Sequence, residues 1–224
     1  YPKNCLNCDV HVADGFLCSL CNEKLHLVDG HCCNSCGHPF AGLVESTRSC
    51  QHCHDFHANY KKGYTLMLMN EVGRKFIHQL KYKNGFYLKK EIDRIIGRQS
   101  RILELVEDAI LVPVPLHYLR QQSRGFNQSE FIAQCIKRVG ERVEIQNILT
   151  RVKLTSSQTK HTRKDRKKNM KNAFALSKKA CLDCSRKYIV IDDVFTTGAT
   201  VNACCYELSK KGIDDLYVLT LGHG

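Results

Sequence analysis

Two adjacent acids and a short hydroxyl-rich turn give this sequence its clearest chemistry. Asp192 and Asp193 follow the apolar residues 188–191, and after them come, in order, Thr196, Thr197, Gly198, Ala199 and Thr200. The aromatic and β-branched residues before the acids predict a buried strand, and residues 201–211 predict a helix. A turn between a strand and a helix N-terminus presents free N–H groups to an anion. Carboxylates beside it suit a ligand that also carries sugar hydroxyls or Mg²⁺.

A second strand, loop and helix are predicted upstream of this stretch. The apolar residues 109–114 lead into a polar loop, where we expect Arg120 and Arg124 to lie, with Gly125 close behind them. Asn127 is followed three residues later by Glu130, which predicts a capped helix start. Arginine can bind phosphate through two parallel hydrogen bonds. This segment therefore predicts a second anion-binding helix N-terminus.

The stretch 188–200 resembles the diphosphosugar-binding signature of the type I phosphoribosyltransferases, in which four apolar residues and two acids precede a loop ending in T-G-x-T. The resemblance implies an α/β fold, in which a parallel sheet is flanked by helices. It also implies that Asp192 and Asp193 act at the ribose of 5-phosphoribosyl 1-diphosphate (PRPP), with Mg²⁺ on the diphosphate. The residues implied to hold the 5′-phosphate are Thr196, Thr197, Gly198, Ala199 and Thr200. Thr196 stands where some purine-using relatives carry an acid, which argues against 6-oxopurine transfer and leaves the acceptor open.

The amino-terminal region is organised by cysteine pairs. Four CxxC pairs occur in order: Cys5 and Cys8, Cys18 and Cys21, Cys33 and Cys36, and Cys50 and Cys53. Each pair places two thiolates on one metal, and two pairs complete a tetrahedral site. The eight ligands predict two structural zinc ions, combined either sequentially or in a crossed order. Because large apolar residues are scarce here, we expect the metal to drive folding of this module.

The whole order of motifs is similar to that of the ComF family of competence proteins. VPVPLH and RGFNQ lie in residues 112–128, VIDDVFTTGAT lies in residues 190–200, and the CxxC-rich region precedes both. The resemblance implies a zinc-binding region joined to a phosphoribosyltransferase domain, in a protein of natural competence. It places the loop of residues 112–130 against the diphosphate. The candidates there are Arg120, Arg124, Gly125, Asn127 and Gln128.

Charge is unevenly distributed along the chain. The formal net charge is +12, but residues 1–60 carry only three Lys/Arg against six Asp/Glu, so the remainder carries +15. Nine Lys/Arg and one acid fall between positions 151 and 171, which predicts a flexible basic loop at about 153–172. The family implies that such a loop closes over PRPP. The same Lys/Arg side chains could also bind along a nucleic-acid backbone. The loop could both close over PRPP and bind nucleic acid.

These observations predict a zinc-binding region at residues 1–58 and a phosphoribosyltransferase-like domain at residues 59–224. No apolar run is long enough to span a membrane, and reduced CxxC pairs favour the cytoplasm. Apolar spacing also predicts one amphipathic helix over residues 64–82, in which Lys81 lies within a segment that resembles one in the ComF family.

Two functions remain open: a PRPP-binding protein of DNA uptake that transfers phosphoribosyl, or a non-enzymatic factor that binds single-stranded DNA or an uptake helicase.

Overall fold

A five-stranded parallel sheet forms the centre of the protein in a computed structural model that describes residues 4–40, 49–82, 85–153, 170 and 172–224. Its strands are β1 (Lys62–Leu68), β2 (Ile110–Pro113), β3 (Glu144–Ile145), β6 (Tyr188–Phe195) and β7 (Leu216–His223), in the order β1-β7-β6-β2-β3. The short strands β4 (Leu149–Arg151) and β5 (Phe174–Leu176) form a separate antiparallel pair. The structure confirms the predicted α/β class with a flanked parallel sheet and a small Cys-rich module.

Seven described helices surround this sheet and the module. They are α1 (Ser19–Glu23), α2 (Glu71–Tyr82), α3 (Lys89–Gly97), α4 (Ser100–Val106), α5 (Tyr118–Arg124), α6 (Gln128–Val139) and α7 (Ala199–Ser209). Single 3₁₀ turns occur at Gln51–Cys53 and Gly85–Leu88. Every helix within the described ranges is too short to cross a lipid bilayer.

Both faces of the sheet are buried, because successive side chains of a strand point to opposite sides. Ile189 and Ile191 of β6 pack with α2, α3, α4 and α6, whereas Tyr188 and Val190 pack with α7 on the other face. The central strands are therefore continuous apolar runs. They carry their polar side chains only where the strand approaches its carboxyl end.

The amino-terminal module covers the edge of the sheet at β1. Val28 donates its backbone N–H to the Leu66 carbonyl, and Leu68 donates its own to the His26 carbonyl, each at 2.9 Å. These bonds occupy backbone groups that an edge strand would otherwise expose. The module is thus attached to the sheet by main-chain hydrogen bonds as well as by packing.

Three predictions about local structure are wrong. Residues 64–82 form most of β1 and then α2, because the strand ends at Leu68 and the Asn70 side chain caps α2 by accepting the Gly73 N–H at 2.9 Å. The segment with Arg120 and Arg124 forms α5 and not a loop, and the His117 ring accepts the Leu119 N–H at its start. Residues 143–152 contain two short strands in different sheets instead of one. The predicted basic loop lies, apart from its ends, outside the described residues.

Candidate functional site at the carboxyl edge of the sheet

The eight cysteines of the four pairs form two clusters. Cys5, Cys8, Cys18 and Cys21 make one cluster, Cys33, Cys36, Cys50 and Cys53 make the other, and within each cluster all sulfur atoms lie within 4.8 Å of one another. The pairing is therefore sequential. A Zn–S bond of about 2.3 Å in a tetrahedral site separates the sulfurs by about 3.8 Å. The Cys8–Cys18 and Cys36–Cys50 sulfur distances of 3.6 and 3.7 Å match that geometry, which supports a structural zinc ion in each cluster.

Each cluster lies on a different face of the sheet. Cys5 and Cys21 pack into the core formed by α2, α3, α4 and α6, whereas Cys33, Cys36 and Cys53 pack into the core beneath α7. Cys32, which could have replaced Cys33 as a ligand, instead donates to the Gly30 carbonyl. No histidine belongs to a metal-binding cluster among the described residues.

Asp192 and Asp193 lie near the end of β6, at the edge where parallel sheets bind their ligands. Asp192 Oδ1 accepts hydrogen bonds from the Ser129 hydroxyl at 3.0 Å and from the Asp193 backbone N–H at 2.9 Å. Asp193 Oδ2 lies 2.9 Å from Lys81 Nζ. The second oxygen of each carboxylate has no such contact in the described part of the chain. Each acid is held by the protein through one oxygen and offers the other to a ligand.

Burial and the neighbouring charge of Asp193 raise the pKa of Asp192 to about 7. Near neutral pH this carboxyl group is therefore divided between its protonated and ionised forms. A ligand that donates hydrogen bonds, or a cation, would favour the ionised form. The site is electrostatically prepared for hydroxyl groups or a metal ion and would repel an uncompensated anion.

The turn after β6 leads directly into the amino terminus of α7. Gly198 is the N-cap with φ 71°, and a Cβ atom built there would lie 2.5 Å from Phe195 Cζ and 2.8 Å from Phe56 Cζ. Only glycine fits this combination of positive φ and close packing. Because α7 begins at Ala199, its first N–H groups face the turn that contains Thr196 and Thr197. The turn has the geometry of an anion-binding helix N-terminus.

A second helix N-terminus lies against the same acids. The Asn127 side chain caps α6 by accepting the Ser129 N–H at 3.1 Å, and it donates to the Val114 carbonyl at 3.0 Å. Since Ser129 also donates to Asp192, the start of α6 is fixed to β6. The amino termini of α6 and α7 thus lie on either side of the acid pair.

The chain resembles known proteins both in its amino-terminal region and over nearly its whole length. A family profile described as a double zinc ribbon domain matches residues 1–54. "Competence protein F" of Haemophilus influenzae is 29% identical over 222 residues, covering 96% of this chain and 94% of the relative. "DNA utilization protein YhgH" of Escherichia coli K12 is 28% identical, with coverage of 94% and 92%. "Competence protein ComFC" of Streptococcus pneumoniae is 24% identical, with coverage of 93% and 88%.

The chain is a homologue of the ComF proteins. It combines a zinc-binding amino terminus with the parallel sheet that carries the acid pair. In this ComF homologue the residues that follow the second cysteine cluster also contact α7, the helix after the turn of residues 196–198. Asn202 of α7 accepts the Asn59 N–H at 2.7 Å and donates to the His57 carbonyl at 3.0 Å. The residues immediately after Cys53 therefore position the turn.

The ComF homologue brings together most of the residues that the sequence singled out. Asp192 and Asp193 lie on β6, and the following turn and α7 start contain Thr196, Thr197, Gly198, Ala199 and Thr200. Asn127 lies at the start of α6, and Gly125 ends α5 with φ 78°. Arg120 and Arg124 belong to α5, and their side chains are outside the described part of the structure.

Three residues that contribute to the site belong to none of the motifs found in the sequence. Ser129 holds Asp192, Phe56 packs on Gly198, and Asn202 connects α7 to the zinc module. Ser129 could have been suspected from its place beside a predicted N-cap. Phe56 and Asn202 gave no signal, because their contacts join segments that are more than a hundred residues apart.

Proposed function

We propose that this ComF homologue binds PRPP with Mg²⁺ and acts in DNA uptake. The observation that carries the proposal is the acid pair between two helix N-termini at the carboxyl edge of a parallel sheet. The second oxygens of Asp192 and Asp193 would accept hydrogen bonds from ribose hydroxyls, and the turn of residues 196–200 would bind the 5′-phosphate. The relatives named for competence and DNA utilization support the cellular role.

Phosphoribosyl transfer is the reaction that this site would perform. The bond from ribose C1 to the diphosphate oxygen breaks and leaves its electron pair on that oxygen. A nucleophilic atom of the acceptor bonds to C1 and releases its proton. Mg²⁺ would neutralise the leaving diphosphate, and carboxylate oxygens suit this ion as ligands. The protein contributes by holding ribose and phosphate in place and by offering N–H groups to developing negative charge.

Residues 1–58 would serve as the zinc-binding region and residues 59–224 as the phosphoribosyltransferase-like domain. Arg120 and Arg124, with Gly125 and Asn127, would face the diphosphate. Free thiolates that must hold zinc support a cytoplasmic location.

Calorimetric titration with PRPP and Mg²⁺ tests the proposal. The wild type should bind, and the Asp192→Asn/Asp193→Asn variant should not, because neutral amides replace both carboxylates. Circular dichroism and zinc content should be equal in the two proteins. Failure of the wild type to bind PRPP at millimolar concentration would refute PRPP binding.

The second candidate is a non-enzymatic factor that binds single-stranded DNA or an uptake helicase. The net charge of +15 outside residues 1–60 favours it, since clustered Lys/Arg bind phosphate backbones. Charge reversal at Lys167 and Lys168 separates the roles. Loss of oligonucleotide binding with unchanged PRPP binding would assign these lysines to DNA, and the opposite result would assign them to PRPP.

A further inference from the structure

A closed series of hydrogen bonds connects the acid pair to the amino terminus of α6. Val114, which follows β2, donates its N–H to the Ile191 carbonyl of β6 at 2.9 Å. The Asn127 side chain donates to the Val114 carbonyl at 3.0 Å and accepts the Ser129 N–H at 3.1 Å. The Ser129 hydroxyl donates to Asp192 Oδ1 at 3.0 Å, so the series returns to the strand on which it began. We call these bonds the Ser129 network.

The network fixes the position of Ser129 before any ligand arrives. Ser129 is only 3% exposed and lies in the first turn of α6, where the Asn127 cap holds its backbone. Alanine has a higher helix propensity than serine, and a buried hydroxyl without a partner costs stability. Helix formation therefore does not account for a hydroxyl at this position. Its hydrogen bond to Asp192 does.

The Ser129 hydroxyl shares one oxygen of Asp192 with a second donor. Asp192 Oδ1 also accepts the Asp193 backbone N–H at 2.9 Å. Rotation of the Asp192 side chain away from this orientation would break both bonds, because each depends on direction as well as distance. Oδ1 is therefore used by the protein, and Oδ2 is the oxygen left for a ligand. Ser129 thus determines which oxygen of Asp192 a ligand contacts.

The same hydroxyl favours the ionised form of Asp192. Burial and the charge of Asp193 raise the pKa of Asp192, whereas the hydrogen bonds from Asp193 N–H and Ser129 and the charge of Lys81 on α2 lower it. Cys204 of α7 is the titratable group on the opposite side, and burial raises the pKa of its thiol, so it stays neutral. A ligand that donates hydroxyl groups requires the ionised carboxylate that Ser129 supports.

We propose that Ser129 is a positioning residue, which orients Asp192 so that its Oδ2 atom accepts a ribose hydroxyl and which joins this acid to the start of α6. The orientation of Asp192 requires no ligand. Its effect on PRPP affinity rests on the proposed function. Ser129 acts through Asp192, since its hydroxyl hydrogen is already donated to Oδ1.

Carbon-13 nuclear magnetic resonance of the ligand-free full chain, labelled at the aspartate carboxyl carbons, tests the orientation. The Asp192 resonance is identified by its absence from Asp192→Asn. In Ser129→Ala the pKa of Asp192 should be higher than in the wild type, because the carboxylate loses a donor. Ser100→Ala, at an exposed serine in the first turn of α4, should keep the wild-type pKa. Equal pKa values in the wild type and Ser129→Ala would refute the proposal.

Calorimetric titration with PRPP and Mg²⁺ then tests the consequence for binding. Ser129→Ala should weaken PRPP binding by about tenfold, and Ser100→Ala should bind like the wild type. The loss should persist at a pH where Asp192 is ionised in both proteins, because the orientation is still missing there. An unchanged affinity, or a loss that disappears at this pH, would refute the positioning role. If the wild type fails to bind PRPP while the pKa difference is present, the proposed function is refuted and the orientation of Asp192 by Ser129 stands.

Discussion

Lys81 Nζ lies 2.9 Å from Asp193 Oδ2, with the lysine side chain 25% exposed and the aspartate side chain 16% exposed. The ion pair joins the end of α2 to the acid pair on β6. It compensates part of the negative charge that two adjacent carboxylates create at a site proposed to bind an anionic ligand. The Lys81 ammonium group therefore belongs to the candidate site and contributes positive charge to it.

Removing this charge should weaken PRPP binding. We expect Lys81→Met to lower PRPP affinity by about tenfold, because the acids would then repel the ligand phosphates without compensation. Calorimetric titration at fixed Mg²⁺ measures the change. Lys90→Met removes an exposed lysine from α3 and serves as the control, with an expected affinity equal to that of the wild type. Equal affinities for both variants would show that Lys81 has no part in binding.

The raised pKa of Asp192 predicts a pH-dependent stability. Its value of about 7 exceeds the ordinary 3.8, so between these pH values the folded protein keeps a proton that the unfolded chain loses. Wild-type stability should therefore fall as pH rises through this window. Asp192→Asn stays neutral at every pH. Its free energy of unfolding relative to that of the wild type should therefore be higher at pH 8 than at pH 4, by on the order of 1 kcal/mol or more. Urea unfolding without PRPP or Mg²⁺ measures the difference. A constant difference between the two proteins would contradict the shift.

The two zinc clusters should differ in their effect on ligand binding. Metal analysis of the wild type should give two zinc ions per chain, and either Cys8→Ser or Cys53→Ser should reduce this number to one. Phe56 and Asn59 follow Cys53 and contact Gly198 and Asn202, so we expect only Cys53→Ser to weaken PRPP, by about tenfold or more. Cys8→Ser is the matched control. A larger loss in Cys8→Ser would contradict the structural link.

Gly198 should not tolerate a side chain. Gly198→Ala combines a left-handed backbone, at φ 71°, with a Cβ atom 2.5 Å from Phe195. Gly30 has the same φ of 71° but nothing within 4 Å, so Gly30→Ala isolates the backbone cost. We expect Gly198→Ala to lower the free energy of unfolding by about 1–3 kcal/mol more than Gly30→Ala, and to abolish PRPP binding. Equal destabilisation in chemical unfolding would mean that the turn moves away from Phe56 at no cost.

Local chemical patterns predicted the parts of the site that depend on neighbouring residues in the sequence. The acid pair, the glycine turn and the Asn127 cap could be read from short stretches, because strand propensity, positive φ and capping are local effects. The cysteine spacing likewise predicted four-sulfur sites. It left the pairing open, since either order satisfies a tetrahedral metal.

Contacts between distant segments explain what the sequence could not predict. Residues 64–68 were predicted to begin a helix, and what makes them part of a strand is pairing with β7 on one side and with the zinc module on the other. Nothing near His223 in the sequence predicts that its ring lies against Phe195 and His38 in the folded protein. Such partners lie far apart in the chain, where periodicity carries no information.

The place of β7 in the sheet has a consequence for synthesis on the ribosome. This strand follows the other described strands along the chain, yet it lies between β1 and β6 and is the strand of the described sheet that pairs with β1. The cysteine ligands of both clusters are complete by residue 53. The module can therefore bind metal before β7, the strand that pairs with β1, has been synthesised. Closure of the sheet must wait until residues 216–223 have left the ribosome. A nascent chain stalled before residue 216 should therefore hold zinc in a module that is tethered but not yet docked.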